Sequence, residues 1–346
     1  MRRNDRGGTA VDGIAARRPA RGSRAVLGTL TAAGTLLALL LPTGPAGAAT
    51  PQNSHRSATP QRTAAAFWTA ARMRSATPLD LAAPARQHRT AVPRSAPLTV
   101  RPTLPRLPGL PSLPVLRPTA AAQPGGPWTG GGAVTKTAGR VFFTYQGRTA
   151  SCSGDAVTSA NKSTVVTAGH CVKLQGAWHT NWVFVPGYHD GQAPYGKWPA
   201  AKTLSTPQWT ASEDINYDVG AAVVAPLDGK KLTDVVGGQG LSFNSGYNKT
   251  MYAFGYPAAA PYDGTRLIYC SGTTMKDPLF SHDHGLSCNM TGGSSGGPWF
   301  TSFDEKTGTG LQSSVNSFGY QFLPNTMFGP YFGDDAKNLY NTAQSS

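Results

Sequence analysis

Two segments of the chain carry the residue types of nucleophilic catalysis. Ser295 lies in the run Gly292-Gly293-Ser294-Ser295-Gly296-Gly297, and His170 follows the run Val165-Val166-Thr167-Ala168-Gly169. A serine hydroxyl is a weak nucleophile unless a positioned imidazole removes its proton, so Ser295 and His170 indicate catalysis only as a pair. Together they predict a serine nucleophile served by a histidine general base.

The elements on which these residues lie favour His170 over the six other histidines. The run from Ser163 to Thr167 is typical of a strand, and His170 lies just past its end, next to Cys171. A carboxylate must hold the second ring nitrogen of such a base. Asp218 is the candidate because it heads an apolar strand, whereas the competitor Asp214 is followed by Ile215-Asn216.

The glycines beside Ser295 predict an oxyanion hole. The amides of Gly293 and Ser295 can point at one spot, and glycine permits the backbone angles that such an arrangement needs. The alternative is a flexible glycine-serine loop, which the pairing with His170 makes the weaker interpretation. The same run also fits the G-x-S-x-G elbow of lipases and esterases, but that fold needs a histidine after the serine, and the last histidine here is His284.

The net charge of the chain belongs to its N-terminal third. Of 346 residues, the first 130 contain 17 arginines, no lysine and only three acids, whereas the remainder has equal numbers of basic and acidic residues. A basic leader followed by a neutral remainder leaves no positive surface for a nucleic acid, so a nucleic-acid partner is not expected.

Residues 1–49 resemble an export signal. Arginines precede an apolar stretch from Ala25 to Leu41, and Ala46-Gly47-Ala48-Ala49 offers the small residues of a cleavage site. A membrane anchor is the alternative, but the apolar stretch is short for a span of roughly 20 residues. The prediction is a secreted, extracellular protein with no membrane attachment after cleavage.

Residues 50–130 are rich in Ala, Arg, Pro and Thr, and prolines recur at every third position from Pro102 to Pro114. This period is typical of a polyproline II helix. We predict a largely disordered propeptide that keeps the protein as a zymogen until it is trimmed; a permanent linker is the alternative.

Residues 131–346 predict an all-β domain. Short β-type runs are separated by glycine, proline and asparagine, as in a barrel or sandwich, and only the tail from Asp334 to Tyr340 has a helical pattern. The six runs are Arg140 to Tyr145, Ser163 to Thr167, Trp182 to Val185, Val219 to Val224, Thr250 to Phe254 and Ser313 to Phe318.

Four cysteines fit the exported location. Cys152, Cys171, Cys270 and Cys288 allow three pairings, of which the local one, 152 with 171 and 270 with 288, closes two short loops. A zinc site is the rival interpretation, but no two cysteines have the usual paired spacing. Disulfides are therefore favoured.

The order His170, Asp218, Ser295, together with the motifs around each residue, resembles the chymotrypsin-like serine proteases. The resemblance implies two orthogonal antiparallel β-barrels, a triad in the cleft between them and a short C-terminal helix. It also implies protein or peptide substrates, a monomer, and no metal or organic cofactor. Within the family, the chain is most similar to the secreted bacterial and fungal branch that includes glutamyl endopeptidases.

The chain departs from the family at the positions that set specificity. The resemblance implies that substrate is bound by Asn289 and Met290 at the pocket base, and by Asn316 with Ser317-Phe318-Gly319 along the strand that pairs with substrate. No carboxylate lies at the pocket base, so cleavage after Arg or Lys is not predicted. Glutamyl endopeptidases have a histidine at position 316, so glutamate preference would need His282 or His284 to reach the pocket; the alternative places both histidines in an exposed turn.

The sequence leaves two other classes of function open. A protease-like binding module without turnover would keep the same motifs, although a full triad argues against it. A structural cell-wall protein anchored by its proline-rich segment would retain its leader.

Overall fold

The computed structural model describes residues 53–81, 91–104 and 122–346. The predicted signal peptide, residues 1–49, and the prolines from Pro105 to Pro114 lie outside the described residues. Within the described part, the leader contains six elements before the main domain: β1 (Ser54–Arg56), α1 (Gln61–Phe67), α2 (Ala70–Ser75), β2 (Thr77–Pro78), β3 (Leu98–Val100) and β4 (Gln123–Pro127).

A closed six-stranded barrel follows. It is built from β5 (Ala138–Tyr145), β6 (Arg148–Ala156), β7 (Thr164–Thr167), β10 (Thr180–Pro186), β11 (Trp198–Ser205) and β12 (Gly220–Val224). Neighbours pair in the order β5-β6-β7-β12-β11-β10, and β10 pairs back with β5. The same region contains α3 (Val134–Thr137), β8 (Lys173–Leu174), β9 (Ala177–Trp178) and α4 (Pro207–Ser212). Every residue of β7 and β12 is buried, as expected of strands covered on both faces.

The second half begins with α5 (Leu232–Val236) and forms two sheets. The larger one contains seven strands in the order β3-β13-β19-β18-β14-β15-β4, and the smaller one pairs β16, β17 and β20 in that order. Their bounds are β13 (Gly240–Phe243), β14 (Thr250–Gly255), β15 (Ile268–Thr273), β16 (Met275–Lys276), β17 (His284–Ser287), β18 (Pro298–Asp304), β19 (Thr309–Val315) and β20 (Thr326–Gly329). The all-β expectation is confirmed.

The C-terminal helix α6 (Asp334–Gln344) packs against the first barrel. Leu339 and Tyr340 join the core of that barrel, and the Tyr340 hydroxyl donates to Thr158 O at 2.8 Å. Two acids in the first turn complement the helix dipole. The tail is thus helical as predicted, but it is not the only helix after residue 131, because the short helices α3, α4 and α5 are also present.

The prediction that residues 50–130 are largely disordered is wrong for the described parts of the leader. β1 pairs with β11, β3 with β13 and β4 with β15, so the leader adds edge strands to both large sheets. Edge pairing uses backbone groups and needs few apolar side chains, so the composition of the leader does not predict these strands. β4, which ends at Pro127, lies before the predicted domain edge at residue 131 and still pairs with β15 of the second half.

Apolar anchoring of the leader comes from a few residues. Trp68 is fully buried against Phe142, and its indole N–H donates to Asn181 O at 2.6 Å. Met73 and Ala64 complete the contact with the outside of the barrel. The leader therefore has little core of its own and uses that of the domain. In the part of the chain described, no helix is both long and apolar enough to cross a bilayer.

Candidate active site

Strand pairing in the first barrel brings His170 and Asp218 together. His170 lies in a short 3₁₀ turn directly after β7, Asp218 lies just before β12, and these two strands pair antiparallel. His170 Nδ1 is 2.7 Å from Asp218 Oδ2, and the His170 backbone N–H donates to Asp218 Oδ1, also at 2.7 Å. Both side chains are fully buried. The carboxylate thus holds both the ring and the backbone of His170.

Asp218 accepts a third hydrogen bond that the sequence did not indicate. The Ser317 hydroxyl donates to Asp218 Oδ2 at 2.6 Å, so this residue, predicted to bind substrate, also fixes the carboxylate. The rival Asp214 lies at the start of the next 3₁₀ turn and accepts from the Asn216 backbone N–H at 3.1 Å. The structure therefore brings Asp218, and not Asp214, to the imidazole.

The two disulfides have the local pairing. Cys152–Cys171 has an S–S distance of 2.05 Å, and Cys270–Cys288 one of 2.02 Å. Ligand atoms of Cys152, Cys171 and His170 lie within 4.8 Å of one another, but both sulfurs are oxidised and offer no thiolate to a metal. The first disulfide therefore fixes the backbone beside His170. It also lies close to the Ser295 loop, because Cys171 Sγ is 3.6 Å from Ser295 O.

The Ser295 loop is held from the first barrel and from the second half of the domain. The Ser153 N–H of β6 donates to Ser295 O at 2.7 Å, and Asn316 Nδ2 donates to Ser294 O at 3.0 Å. Gly293 has φ +92° and Gly296 has φ +80°, angles that favour glycine. The loop is thus rigid, and glycine is required where the sequence predicted it.

A hydrogen-bond donor of the predicted oxyanion hole is occupied by the leader. The Gly293 N–H donates to Leu79 O at 3.1 Å, and the Ser295 hydroxyl lies 3.5 Å from the same oxygen. His170 Nε2 has no hydrogen-bond partner among the described residues. No motif in residues 77–81 indicates this contact.

His179 supports the backbone of His170. His179 Nε2 is 2.8 Å from His170 O, and its ring stacks on Phe143 with 4.2 Å between centroids. Burial lowers the pKa of His179 to about 3, so the ring is neutral near pH 7 and can donate to the carbonyl. We find no sequence signal that would have selected this histidine.

A cleft of about 480 Å³ adjoins Ser295. Its lining includes five of the predicted substrate-binding residues, Asn289, Met290, Ser317, Phe318 and Gly319. Asn316 is not among the lining residues, because its side chain donates to Phe254 O and Ser294 O and accepts from Trp299 Nε1. Asn316 braces the nucleophile loop from inside, and its predicted role in substrate binding stays a prediction.

Neither His282 nor His284 lines the cleft. His284 is buried between Tyr247 and Tyr331, with ring centroids 5.0 and 5.5 Å away, and the His282 backbone N–H donates to Asn216 Oδ1. The alternative of an exposed turn is wrong for His284 as well. Apart from Asp80 of the leader, the described lining has no charged side chain.

Burial of His284 makes stability depend on pH. Burial lowers its pKa to about 3 from 6.5, so the unfolded chain binds the proton more tightly between these values. Stability is therefore unaffected by this group above pH 6.5 and falls as the pH drops below it. We expect His284→Phe to gain about 2 kcal/mol relative to wild type on going from pH 7 to pH 5, measured by urea unfolding. The exposed His189→Phe variant should show no such gain.

Two solved structures align with this chain over nearly all of their own length. Protease Anisep from Arthrobacter nicotinovorans is 48% identical, with a TM-score of 0.58, over 61% of this chain and 96% of that one. The thermostable serine protease AL20 from an extremophilic microorganism is 41% identical, with a TM-score of 0.59, over 62% and 99%. A Glu endopeptidase structure is 16% identical with a TM-score of 0.48.

One curated relative matches a short segment. The extracellular metalloprotease of Bacillus subtilis (strain 168) is 44% identical over 62 residues, which make up 18% of this chain. The chain spans only a fifth of the length of that relative. No family model matches the chain.

Proposed function

Because this chain belongs to the chymotrypsin-like serine proteases, we propose that it is a secreted serine endopeptidase that uses Ser295, His170 and Asp218. The observation that carries the proposal is the buried contact of His170 Nδ1 with Asp218 Oδ2 at 2.7 Å, beside the rigid loop of Ser295. The proposal includes export by the leader, activity as a monomer, and peptides or proteins as substrates.

The proposed reaction follows from this geometry. Ser295 Oγ attacks the carbonyl carbon of the scissile bond while His170 Nε2 takes the hydroxyl proton, and Asp218 stabilises the imidazolium that forms. The carbonyl oxygen becomes an oxyanion that accepts from the amides of Gly293 and Ser295. His170 then gives its proton to the leaving amine, and water hydrolyses the acyl-enzyme by the same steps. No metal or cofactor takes part.

The lining of the cleft supports a preference for an uncharged residue before the scissile bond. Asn289 Oδ1 accepts from the Tyr262 hydroxyl at 2.6 Å, which fixes the amide in the lining of the pocket, and Met290 packs with Cys288 in the core of the second half. We therefore expect apolar or neutral polar side chains to bind there. Glutamate preference has no cationic partner among the described lining residues.

Ser317 holds the Asp218 carboxylate, so its hydroxyl is expected to support catalysis. Ser317→Ala removes one of the three donors to Asp218, and a hydrogen bond to a charged group contributes about 1.5–3 kcal/mol. We expect kcat to fall roughly tenfold to a hundredfold with KM almost unchanged, because the loss concerns the stabilisation of the imidazolium. Ser313→Ala, another buried serine, bonded to Met251 Sδ, is the matched control and should keep its kcat. An unchanged kcat in Ser317→Ala would refute the role.

The proposed function is tested by digesting an unbiased peptide library with the trimmed protein and with its Ser295→Ala variant. Cleavage sites are determined by mass spectrometry. Cleavage by the wild type only, after neutral residues, is the expected result. Absence of cleavage by a folded, trimmed wild-type protein would instead favour the binding module.

A further inference from the structure

The described leader crosses the candidate active site. Thr77 and Pro78 pair in parallel with Ala150 and Ser151 of β6, and the Leu79 N–H donates to Ser151 O at 2.9 Å. Leu79 packs on the core of the first barrel, to which Cys152 and Cys171 belong, and its carbonyl oxygen accepts from Gly293. The backbone of the leader thus enters from the side of β6 and reaches the predicted oxyanion hole.

The next two residues continue to the other side of the cleft. Asp80 lies against Gly292, where its Cβ is 3.1 Å from the position a Cβ on Gly292 would take. Leu81 packs on the apolar cluster of Phe318, Tyr320 and Phe328. Both residues line the cleft beside Asn289 and Met290. The leader therefore runs from the β6 side to the pocket side.

This direction is opposite to that of a substrate in the proposed reaction. The residue before the scissile bond would fill the pocket of Asn289 and pair with the strand at Ser317, so its chain would run from the pocket side towards β6. In the leader, the residues before the Leu79 carbonyl lie at β6 and those after it lie at the pocket. The amine that would have to leave therefore points to the pocket instead of lying on the β6 side.

Reversal also changes what the catalytic groups can do. The Ser295 hydroxyl lies 3.5 Å from Leu79 O, a hydrogen-bond acceptor, and His170 Nε2 has no partner in the described part of the chain. A hydroxyl that donates to Leu79 O does not donate to His170, so the base cannot take its proton. Cleavage further requires His170 to protonate the leaving amine, which a reversed chain keeps on the far side.

The leader is held on both flanks of this crossing. Before it, Trp68 is buried on the barrel and Lys197 Nζ donates to Trp68 O at 2.9 Å. After it, Arg94 lies over the rings of Tyr247 and Tyr331, at 5.0 and 4.5 Å, and β3 extends the second sheet. Two anchors on separate halves thus hold the described residues 77–81 at the cleft.

We propose that the described leader residues, 53–81 and 91–104, form an intramolecular inhibitor whose residues 77–81 fill the active site in reverse and are therefore not a substrate for it. This inference rests on the proposed function, since the reversal is defined by the proposed binding direction. The surface of the domain that contacts the leader is therefore a binding site for a peptide with the sequence of residues 77–81.

The test uses the full secreted precursor and a fluorophosphonate probe that labels an accessible catalytic serine. Trp68→Ala removes the first anchor and Leu81→Ala removes the apolar contact at the pocket; either should speed labelling roughly tenfold or more, as expected of buried interface anchors. Arg62→Ala, at an exposed position of α1, is the matched control and should label as slowly as the wild type. Cooperative unfolding of each protein verifies its fold before labelling. If Trp68→Ala does not fold, the labelling rate of Leu81→Ala alone tests the proposal.

The direction is tested by mass spectrometry of the same incubations. An intact Leu79–Asp80 bond in the wild-type precursor, together with faster labelling of the variants, supports the proposal. Cleavage at that bond, or labelling of the wild type as fast as of both variants, would overturn the proposal and leave the proposed function standing. If protein whose leader has been cut away also fails to label and to cleave peptides, the proposed function itself is wrong.

Discussion

Ser295→Ala is expected to lower kcat on a peptide substrate by a factor on the order of 10⁶ while leaving the fold intact. The hydroxyl supplies the nucleophile, and its hydrogen bond to Leu79 O is long at 3.5 Å, so its loss removes chemistry and little stabilisation. The measurement is steady-state hydrolysis by wild type and variant after the same added protease has trimmed both leaders, with thermal unfolding of each recorded alongside.

Ser294→Ala is the matched control for this prediction. Its hydroxyl donates to Thr291 O at 2.8 Å within the same loop, so the substitution tests loop integrity without removing the nucleophile. A loss within about tenfold is expected, corresponding to one neutral hydrogen bond. Should Ser294→Ala and Ser295→Ala lose activity equally, the loop and not the Ser295 hydroxyl would be the essential feature.

The second large effect is expected for Asp218→Asn, with kcat falling by roughly 10⁴. The carboxylate accepts from the His170 N–H, from the ring at Nδ1 and from the Ser317 hydroxyl, and an amide has one oxygen with which to accept. The imidazole would then adopt the other tautomer, with the proton on Nε2, and could not accept the Ser295 proton. Kinetics of the trimmed variant, with the ring protons observed by NMR, would check both consequences.

Asp214→Asn provides the comparison for Asp218. Asp214 Oδ1 accepts from the Asn216 backbone N–H and side-chain amide at the start of a 3₁₀ turn, roles that an asparagine oxygen can partly keep. A change in kcat of less than about tenfold is expected, with a modest loss of stability. A larger loss for Asp214→Asn than for Asp218→Asn would reverse the assignment.

The sequence predicted four of the six first-barrel strands, because β5, β7, β10 and β12 are short apolar runs with β-branched residues bounded by turn residues. The more polar β6 and β11 were not predicted. The sequence also indicated that His170 and Asp218 meet, since each lies at the end of a strand that can pair with the other. The limits of the last predicted run differ: β19 begins at Thr309 and ends at Val315, so Asn316 has already left the strand. This departure turns the Asn316 side chain into the core.

The leader could not be predicted in the same way. Its strands β1 and β3 gain their order from edges contributed by residues more than 100 positions later in the chain, and Trp68 gains its burial from Phe142. A local composition rich in Ala, Arg and Pro has no periodicity that announces such pairing. One sequence signal was present: the leader has large apolar side chains at Phe67, Trp68 and Met73, in a stretch otherwise poor in them. This signal indicates a packing contact only once the apolar surface of the barrel is known.

The position of α6 determines when folding of the first barrel can finish. Leu339 and Tyr340 fill the core of the first barrel, and Asn161 Nδ2 donates to Ala343 O at 2.8 Å, although 182 positions separate these residues. Such distant contacts form late, because a long loop must close before they contribute. A chain that crosses a membrane in order of sequence would therefore keep the barrel of His170 unfinished until residues 334–344 had crossed. Assembly of the site would thus be timed by the arrival of α6.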